Sequence, residues 1–137
     1  MTLPLGLVDR LPKPAEWRFL ATVDRVPWLR GQVRGALADV EVDREGVALA
    51  VTEAMGNVVR HAYPAQDHGE ALVQMTVDGE CVVVSVRDFG VGQEGFASSP
   101  NRGMGLGFRF MRSAASQMRI EPGATGTAVV MSFPLSA

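Results

Sequence analysis

The sequence predicts an α+β fold: a two-layer sandwich in which a mixed, mostly antiparallel sheet carries its helices on one face. The chain has 137 residues, of which 47% are hydrophobic, and this suits one domain with a sizeable core. Apolar residues recur with a period of two in some segments and at helical spacing in others. These segments follow one another in the order β-α-α-β-β-α-β-β.

The first forty residues are predicted to supply an irregular lead-in, a strand and a helix. Residues 1–15 contain three prolines and little periodicity, so we expect the folded domain to span residues 16–137. A strand follows, because apolar side chains alternate at Trp17, Phe19, Ala21 and Val23. Pro27 suits the first turn of a helix, and the apolar stripe of that helix would be Leu29, Val33, Ala36 and Leu37.

A second helix and a hairpin are predicted next. Asp43 can cap a helix that runs to about Ala62, just before a proline. Residues 71–77 and 81–88 both have the composition of strands. Asp78-Gly79 between them is a strong signal for a tight hairpin turn.

The remaining residues predict a loop, a helix and two strands. Residues 89–104 are rich in Gly and Ser and should form the loop. A helix over residues 105–117 is indicated by apolar side chains at helical spacing, namely Leu106, Phe110, Ala114 and Met118. Strands are predicted at residues 119–121 and 127–133, with residues 122–126 as the turn.

Composition excludes some classes of function. The net charge of −2 gives no electrostatic reason to expect nucleic acid or an anionic membrane as a partner. No signal peptide and no apolar run long enough to cross a membrane is present. Cys81 is the only cysteine, so an internal disulfide is impossible and a cytoplasmic location is expected. Its valine-rich surroundings predict a buried, inert thiol.

Polar residues form a stripe on the second helix. Glu53, Asn57 and His61 are spaced four residues apart with Arg60 beside them, so their side chains share one helix face. Another face, expected to meet the sheet, consists of Val47, Val51, Met55, Val58 and Ala62. The stripe could be a solvated surface. Small and apolar residues within or beside it indicate instead a lined pocket, and both interpretations stay open at this point.

Asp88 is predicted to be a buried carboxylate. It has the same parity as Val82, Val84 and Val86, so it points to the buried side of its strand. A buried carboxylate is costly unless something satisfies it. The glycines at positions 90 and 92 would let a ligand approach the backbone closely. The alternative is an Asp that caps its own turn.

A glycine-rich segment, residues 103–107, leads into the predicted third helix. Free N–H groups at a helix N-terminus suit phosphate binding, although many such stretches are simply flexible loops. The Rossmann fingerprint does not fit, because its βαβ unit is missing. The phosphate-loop motif is also absent from the sequence.

Together these segments resemble the ATP-binding (Bergerat) fold of the histidine-kinase-like ATPases, which include gyrase, the large heat-shock chaperone, sensor histidine kinases and mismatch-repair ATPases. Four elements match in order: the helix Glu53-Ala54-Met55-Gly56-Asn57 continuing to Tyr63, the Asp-x-Gly-x-Gly element Asp88–Gly92, the lid end Gly103–Gly107, and Gly126-Thr127. Within that group, the pattern Glu-Ala-x-x-Asn-x-x-x-His-Ala-Tyr is similar to that of the anti-sigma factor serine/threonine kinases.

The resemblance implies a role for each matching position. Asp88 would bond the adenine amino group with support from Thr127, and Asn57 would ligate Mg²⁺ that bridges the phosphates of ATP. Glu53 would be the catalytic base that accepts a proton from the attacking hydroxyl. The implied nucleotide-binding set is Asn57, Arg60, His61, Asp88, Gly90, Gly92, Arg102, Gly103, Met104, Gly105, Leu106, Gly107 and Thr127.

The resemblance also implies partners. The phosphate acceptor would be a serine or threonine of an anti-anti-sigma (STAS-type) protein, and a sigma factor would bind in competition with it. A homodimer is a further expectation, whereas no direct contact with nucleic acid or membrane is expected.

One departure from the pattern leaves two functions open. Only residues 93–102 separate the glycine elements, which makes the lid shorter than in the better-known kinases of this family. The chain is therefore either a kinase or an ATP-dependent binding module with little or no phosphotransfer. A sensor histidine kinase catalytic domain is disfavoured, because about forty residues precede the Asn helix and neither His61 nor His68 is placed to be a phospho-acceptor.

Overall fold

The computed structural model describes residues 14–63, 69–90, 115–123 and 125–136. In chain order the elements are β1 (Ala15–Leu20), α1 (Arg25–Ala36), α2 (Arg44–Asn57), a π-helical turn (Val58–Ala62), β2 (Glu70–Asp78), β3 (Cys81–Asp88), β4 (Gln117–Gly123) and β5 (Gly126–Pro134). The division into a lead-in and a domain from residue 16 stays a prediction, since residues 1–13 lie outside the described ranges.

The strands form one five-stranded sheet with the order β1-β2-β3-β5-β4. Every pairing between neighbours in this sheet is antiparallel. The predicted α+β class is therefore confirmed, and the described part of the sheet is antiparallel throughout rather than mixed. β1 and β4 lie at the two edges, and β3 lies at the centre between β2 and β5.

The β2–β3 hairpin turns one residue later than predicted. Asp78 pairs with Cys81, so the two central turn residues are Gly79 and Glu80. Gly79 has a φ of +67°, in the left-handed region that a glycine adopts without steric cost. A positive φ at only the first central position matches a type II′ turn, whose twist suits a two-residue hairpin.

The first strand and helix follow the predicted pattern with one exception. Phe19 and Ala21 are buried, but Val23 is 74% exposed because it lies in the turn before α1. Pro27 is the third residue of α1, where its missing N–H costs no helical hydrogen bond. Of the predicted stripe, Leu29, Val33 and Leu37 are fully buried and Ala36 is half-buried.

Helix α2 packs against α1 and over strand β3 of the sheet. As predicted, Asp43 caps it, since the carboxylate accepts a hydrogen bond from the Gly46 N–H at 3.1 Å. The predicted sheet-facing side chains are all buried, namely Val47, Val51, Met55, Val58 and Ala62. Thr52 ties the layer together, because its hydroxyl donates to the Ala48 carbonyl at 2.7 Å and accepts from Arg30 Nε at 3.4 Å.

The second helix is not α-helical over its whole predicted length. The α-helix ends at Asn57, and the backbone widens into a π-helical turn from Val58 to Ala62. The predicted end of the helix at about Ala62 is confirmed, but its last five residues form a π turn, which periodicity over so few residues cannot distinguish from an α turn. Such turns are frequent at functional sites, and this one directly follows Asn57.

The last strands are longer than predicted. Pro122 pairs with Thr127 and Gly123 with Gly126, so residues assigned to the turn belong to the strands. Residues 105–114 of the predicted third helix lie outside the described ranges. Its predicted end is wrong, since residues 115–116 are not helical and β4 begins at Gln117. Pairing with β5 outweighs the helical spacing of Met118.

The core lies between the helices and the inner face of the sheet. Val82, Val84 and Val86 of β3 are buried with exposed fractions of at most 1%. Cys81 has the opposite parity on the same strand and is only half-buried, so the prediction of a buried thiol was wrong. In the described ranges, no helix is long and apolar enough to cross a membrane.

Candidate functional site

Asp88 is the buried carboxylate that the valine alternation predicted. It ends β3 with 3% exposure, and Oδ1 accepts a hydrogen bond from the Gly90 N–H at 2.9 Å. Burial raises the pKa of Asp88, while the main-chain N–H groups of Gly90 and Thr127 act in the opposite direction. The interpretation that Asp88 caps its own turn is therefore correct for its hydrogen bond with the Gly90 N–H. Two donors leave acceptor capacity on the carboxylate, which can take about four hydrogen bonds.

Two glycines let three backbone segments converge at Asp88. A Cβ on Gly90 would lie 1.8 Å from the Ala62 carbonyl oxygen, so no side chain fits between β3 and the π turn. A Cβ on Gly126 would lie 2.0 Å from the Asp88 carbonyl oxygen, and Gly126 has a φ of +137°. The glycines thus bring the end of the π turn and the start of β5 against the end of β3.

Thr127 lies at this junction with an unsatisfied hydroxyl. It is the second residue of β5, is 1% exposed and directs its N–H to the Asp88 carboxylate. Among the described residues, its Oγ1 has no hydrogen-bond partner although the atom is fully buried. Buried polar groups are nearly always bonded, so an exception indicates a missing ligand or water.

Asn57 shows the same signature on the other side of the site. Its side chain is 1% exposed, and Oδ1 accepts a hydrogen bond from Arg60 Nη2 at 2.9 Å. Its Nδ2 is buried without a partner in the described part of the chain. Arg60 reaches Asn57 by folding back over Gly56, where a Cβ would lie 3.2 Å from Arg60 Nη1. The Arg60–Asn57 bond was not predicted, because it depends on the course of a long side chain.

His61 lies in the π turn, and its side chain is half-buried. Burial, and then the positive charge of Arg60, lower the pKa of its imidazole below the usual 6.5. Within the described ranges, Nε2 of His61 is a further buried atom without a hydrogen-bond partner. The predicted stripe is therefore not a solvated surface at Asn57 and His61, since both side chains carry buried polar atoms.

Glu53 lies one turn before Asn57, beside a groove. The groove has a volume of roughly 370 Å³ and is formed by the start of α1 and the exposed side of α2. Its lining is mostly apolar and comprises Val23, Val26, Pro27, Thr52, Glu53, Gly56, Val59 and Arg60. Arg60 thus borders the groove and also bonds Asn57, which links the groove to the buried site.

The structure also identifies a residue that the sequence prediction left without a role. The hydroxyl of Tyr63 accepts a hydrogen bond from the Phe89 N–H at 2.8 Å and donates to the Glu70 carbonyl. In the sequence, Tyr63 is only the last residue of the motif that begins at Glu53, and no spacing indicates a partner 26 residues away.

The predicted phosphate-binding residues are not described by the structure. Gly92, Arg102, Gly103, Met104, Gly105, Leu106 and Gly107 lie outside the described ranges. Their roles stay predictions. Gly90 is described, and its contribution is the close approach to Ala62 and the N–H donated to Asp88.

The described residues fit a nucleotide with its metal ion. An amide oxygen is a hard ligand of the kind that Mg²⁺ prefers, and Asn57 Oδ1 has a second lone pair beside the one that Arg60 uses. Asn57 Nδ2 and Thr127 Oγ1, which are buried without hydrogen-bond partners in the described ranges, are also suited to bind a polar ligand. Asp88 has remaining acceptor capacity for a donor such as an amino group.

Comparisons with known proteins agree with this geometry. Residues 19–133 match the family model described as a histidine kinase-like ATPase domain. No curated protein matches the sequence. A crystal structure of the RsbU and RsbW domains of Rv1364c from Mycobacterium tuberculosis is similar, with a TM-score of 0.69, 26% identity, and coverage of 90% of this chain and 32% of that chain.

A second solved structure shares the fold. The histidine kinase AdeS of Acinetobacter baumannii superposes with a TM-score of 0.55 at 12% identity, over 97% of this chain and 74% of that chain. At this identity the likeness concerns the fold alone. The present chain spans about a third of the Mycobacterium chain, with 32% covered, so the other activities of that longer protein do not transfer to it.

Proposed function

Because this chain belongs to the histidine kinase-like ATPase domain family, we propose that it is an ATP-binding anti-sigma factor that phosphorylates a serine or threonine of an anti-anti-sigma protein. A sigma factor would be its second partner, released or captured according to the phosphorylation state of the first. The observation that carries the proposal is the group of buried, unsatisfied polar atoms on Asn57 and Thr127 around the buried carboxylate of Asp88.

The adenine end of the site would be formed by β3 and β5. The Asp88 carboxylate would accept a hydrogen bond from the exocyclic amino group of the base. It would use a lone pair that the hydrogen bonds from the Gly90 and Thr127 N–H groups leave free. The Thr127 hydroxyl can donate to a ring nitrogen or hold a water beside it. Both side chains are almost fully buried, so these hydrogen bonds form at low local dielectric and discriminate strongly between bases.

The phosphate end would be formed by the end of α2. Asn57 Oδ1 would hold Mg²⁺, which would neutralise charge on the phosphates when bound. Arg60 lies within hydrogen-bond reach of the same oxygen, so its guanidinium provides a further positive charge beside the phosphates. The glycine-rich segment at residues 103–107 is expected to complete this end.

Glu53 would serve as the base in the groove. Its carboxylate accepts the proton of the serine or threonine hydroxyl, the hydroxyl oxygen bonds the γ-phosphorus, and the bond from that phosphorus to ADP breaks. The apolar lining at Val23, Val26 and Pro27 suits the side chains that flank the acceptor residue in a docked protein. The sequence pattern around Glu53 supports assignment to the anti-sigma kinases rather than to sensor kinases.

The experiment that tests this proposal measures intact masses. The protein is incubated with Mg-ATP and each STAS-type domain encoded near its gene, and a gain of about 80 Da identifies a phosphorylated partner. Glu53→Gln should abolish this transfer while ATP affinity is retained. Glu45→Gln is the matched control, because Glu45 is on the same helix but its side chain is 70% exposed and pairs with Arg34.

Two results would change the proposal. If a domain binds in an ATP-dependent manner but gains no mass, the chain is an ATP-gated binding module, the function that the short lid also favours. If Glu53→Gln transfers phosphate as fast as wild type, Glu53 is not the base.

A further inference from the structure

We propose that Tyr63 is a positioning residue that sets the orientation of the Asp88 carboxylate and so determines the preference of the site for adenine. The inference rests on the proposed binding of ATP and concerns base selectivity alone. Tyr63 does not touch the ligand in this proposal; it acts through the backbone of Phe89.

The hydroxyl of Tyr63 joins two strands at the mouth of the site. It accepts from the Phe89 N–H at 2.8 Å and donates to the Glu70 carbonyl, so both hydrogen-bonding directions of the phenol are used. Phe89 directly follows Asp88 at the end of β3, and Glu70 begins β2. The phenol therefore holds the first residue beyond β3 against the neighbouring strand.

The ring of Tyr63 is held between two glycines. A Cβ on Gly69 would lie 2.3 Å from Tyr63 Cε1, and a Cβ on Gly90 would lie 3.2 Å from Tyr63 Cδ1. A side chain on Gly69 would require the ring or the Gly69 backbone to move. Gly69 therefore confines the ring on one side, and the two hydrogen bonds of the hydroxyl hold it toward Phe89 and Glu70.

This contact controls Asp88 through a short covalent path. Fixing the Phe89 N–H fixes the peptide that joins it to Asp88, and the chain then turns so that the Gly90 N–H reaches Asp88 Oδ1 at 2.9 Å. The side chain of Phe89 is not the anchor, since it is 39% exposed and lies beneath the Arg18 guanidinium at 5.5 Å. The main-chain bond to Tyr63 therefore orients this peptide on the Phe89 side, in addition to the pairing of Asp88 with Ala71.

Base selectivity is the property that reports this role. Adenine presents an amino group that a carboxylate can accept from, whereas hypoxanthine carries a carbonyl oxygen at the same position and would face the carboxylate with another acceptor. A carboxylate that is held in place discriminates between the two. One that is free to rotate discriminates less, because it no longer forms the bond to the amino group at full strength.

The test compares ATP with inosine triphosphate by calorimetry in the presence of Mg²⁺. Tyr63→Phe keeps the ring and removes both hydrogen bonds of the hydroxyl. We expect the dissociation constant for ATP to rise about tenfold and that for inosine triphosphate to change less than about twofold, so the ATP preference falls. Asp88→Asn removes the carboxylate and so gives the lowest ratio of ATP affinity to inosine triphosphate affinity that we expect for this site. Ser116→Ala is the structural control, because it removes a hydroxyl bond of 3.1 Å to the Ser132 carbonyl, at the end of β5 away from Thr127, and should leave the preference unchanged.

A second variant tests the same contact in case Tyr63→Phe does not fold. Gly69→Ala keeps the tyrosine but places a Cβ 2.3 Å from its ring, so the ring or the Gly69 backbone must shift, and we expect the bond to Phe89 to weaken and the ATP preference to fall in the same way. Hydrogen exchange at the Phe89 amide should be slow in wild type and accelerate in both variants. If both variants keep the wild-type preference, Tyr63 has no positioning role. If wild type binds neither nucleotide, the proposed function itself fails and the inference falls with it.

Discussion

Replacing the buried Gly126 with alanine should destabilise the protein more than the same substitution at Gly79 or Gly31, where an added Cβ meets no atom within 4 Å. The residue has a φ of +137°, and an added Cβ would lie 2.0 Å from the Asp88 carbonyl oxygen and 2.9 Å from Phe89 Cα. Both obstacles are backbone atoms, which a rotamer change cannot move. The strand must therefore shift by about 1 Å to bring the closest contact to 3.0 Å.

The expected magnitude has two parts. A non-glycine residue in this backbone region costs about 1–3 kcal/mol. The shift of β5 would also weaken the bond from the Thr127 N–H to the Asp88 carboxylate, and hydrogen bonds to charged groups are worth about 1.5–3 kcal/mol. We expect a total loss of about 3–5 kcal/mol, a large part of the ~5–15 kcal/mol by which a domain is stable. For a domain of this size this corresponds to a melting temperature about 10–20 °C lower.

Two other glycines separate backbone strain from the close approach. Gly79 has a φ of +67° but nothing within 4 Å of an added Cβ, so Gly79→Ala should cost only about 1–2 kcal/mol. Gly31 in α1 has neither a positive φ nor a neighbour within 4 Å, so Gly31→Ala should stabilise by about 0.5–1 kcal/mol. Urea denaturation of the three variants measures each free energy of unfolding.

A loss at Gly126 no larger than the loss at Gly79 would refute this reasoning. It would mean that β5 moves away from Asp88 at no cost and that the fold does not enforce their contact. ATP affinity, measured where each variant is fully folded, should fall for Gly126→Ala and stay unchanged for Gly79→Ala.

The remaining predictions concern a helix cap and a titration. Asp43→Ala should lower the free energy of unfolding by about 1 kcal/mol, because α2 loses the acceptor for the Gly46 N–H, whereas Asp43→Asn should lose little in urea denaturation. The pKa of Asp88 is raised in the folded state, so the folded state binds the carboxyl proton more tightly than the unfolded state does. The stability gained from this proton is fully present below pH 3.8, the ordinary pKa of an Asp, and is lost as the pH rises through the folded-state pKa. Asp88→Asn should therefore be more stable than wild type at pH 7, with the difference shrinking in acid; a difference that grows as pH falls would contradict the sign.

The parts of the fold that local periodicity reports were predictable from the sequence. The alternation of valines in β3 predicted that Asp88 would be buried, and it is 3% exposed. The spacing on α2 predicted which side chains meet the sheet, and Asp43 was correctly identified as its cap. These predictions succeed because side-chain direction along a strand or helix follows from backbone geometry that repeats every two or 3.6 residues.

Predictions that depended on one segment finding another were less accurate. Met118 fits a helical spacing, yet it lies in β4 because pairing with Met131 decides its conformation. Cys81 lies among valines, but the register of β3 places it on the less buried face. Local pattern carries no information about which strand pairs with which, so such errors fall where tertiary pairing overrides propensity.

The sequence by itself determined the fold class, the buried faces and the identity of the polar residues Asn57, Asp88 and Thr127. Only the tertiary structure decided how they are held: the bond from Arg60 to Asn57, the approach of Gly126 to Asp88, and the link from Tyr63 to Phe89. The physical reason is that these contacts join side chains and backbone from segments distant in sequence, whose meeting depends on the packing of the whole sheet against α2.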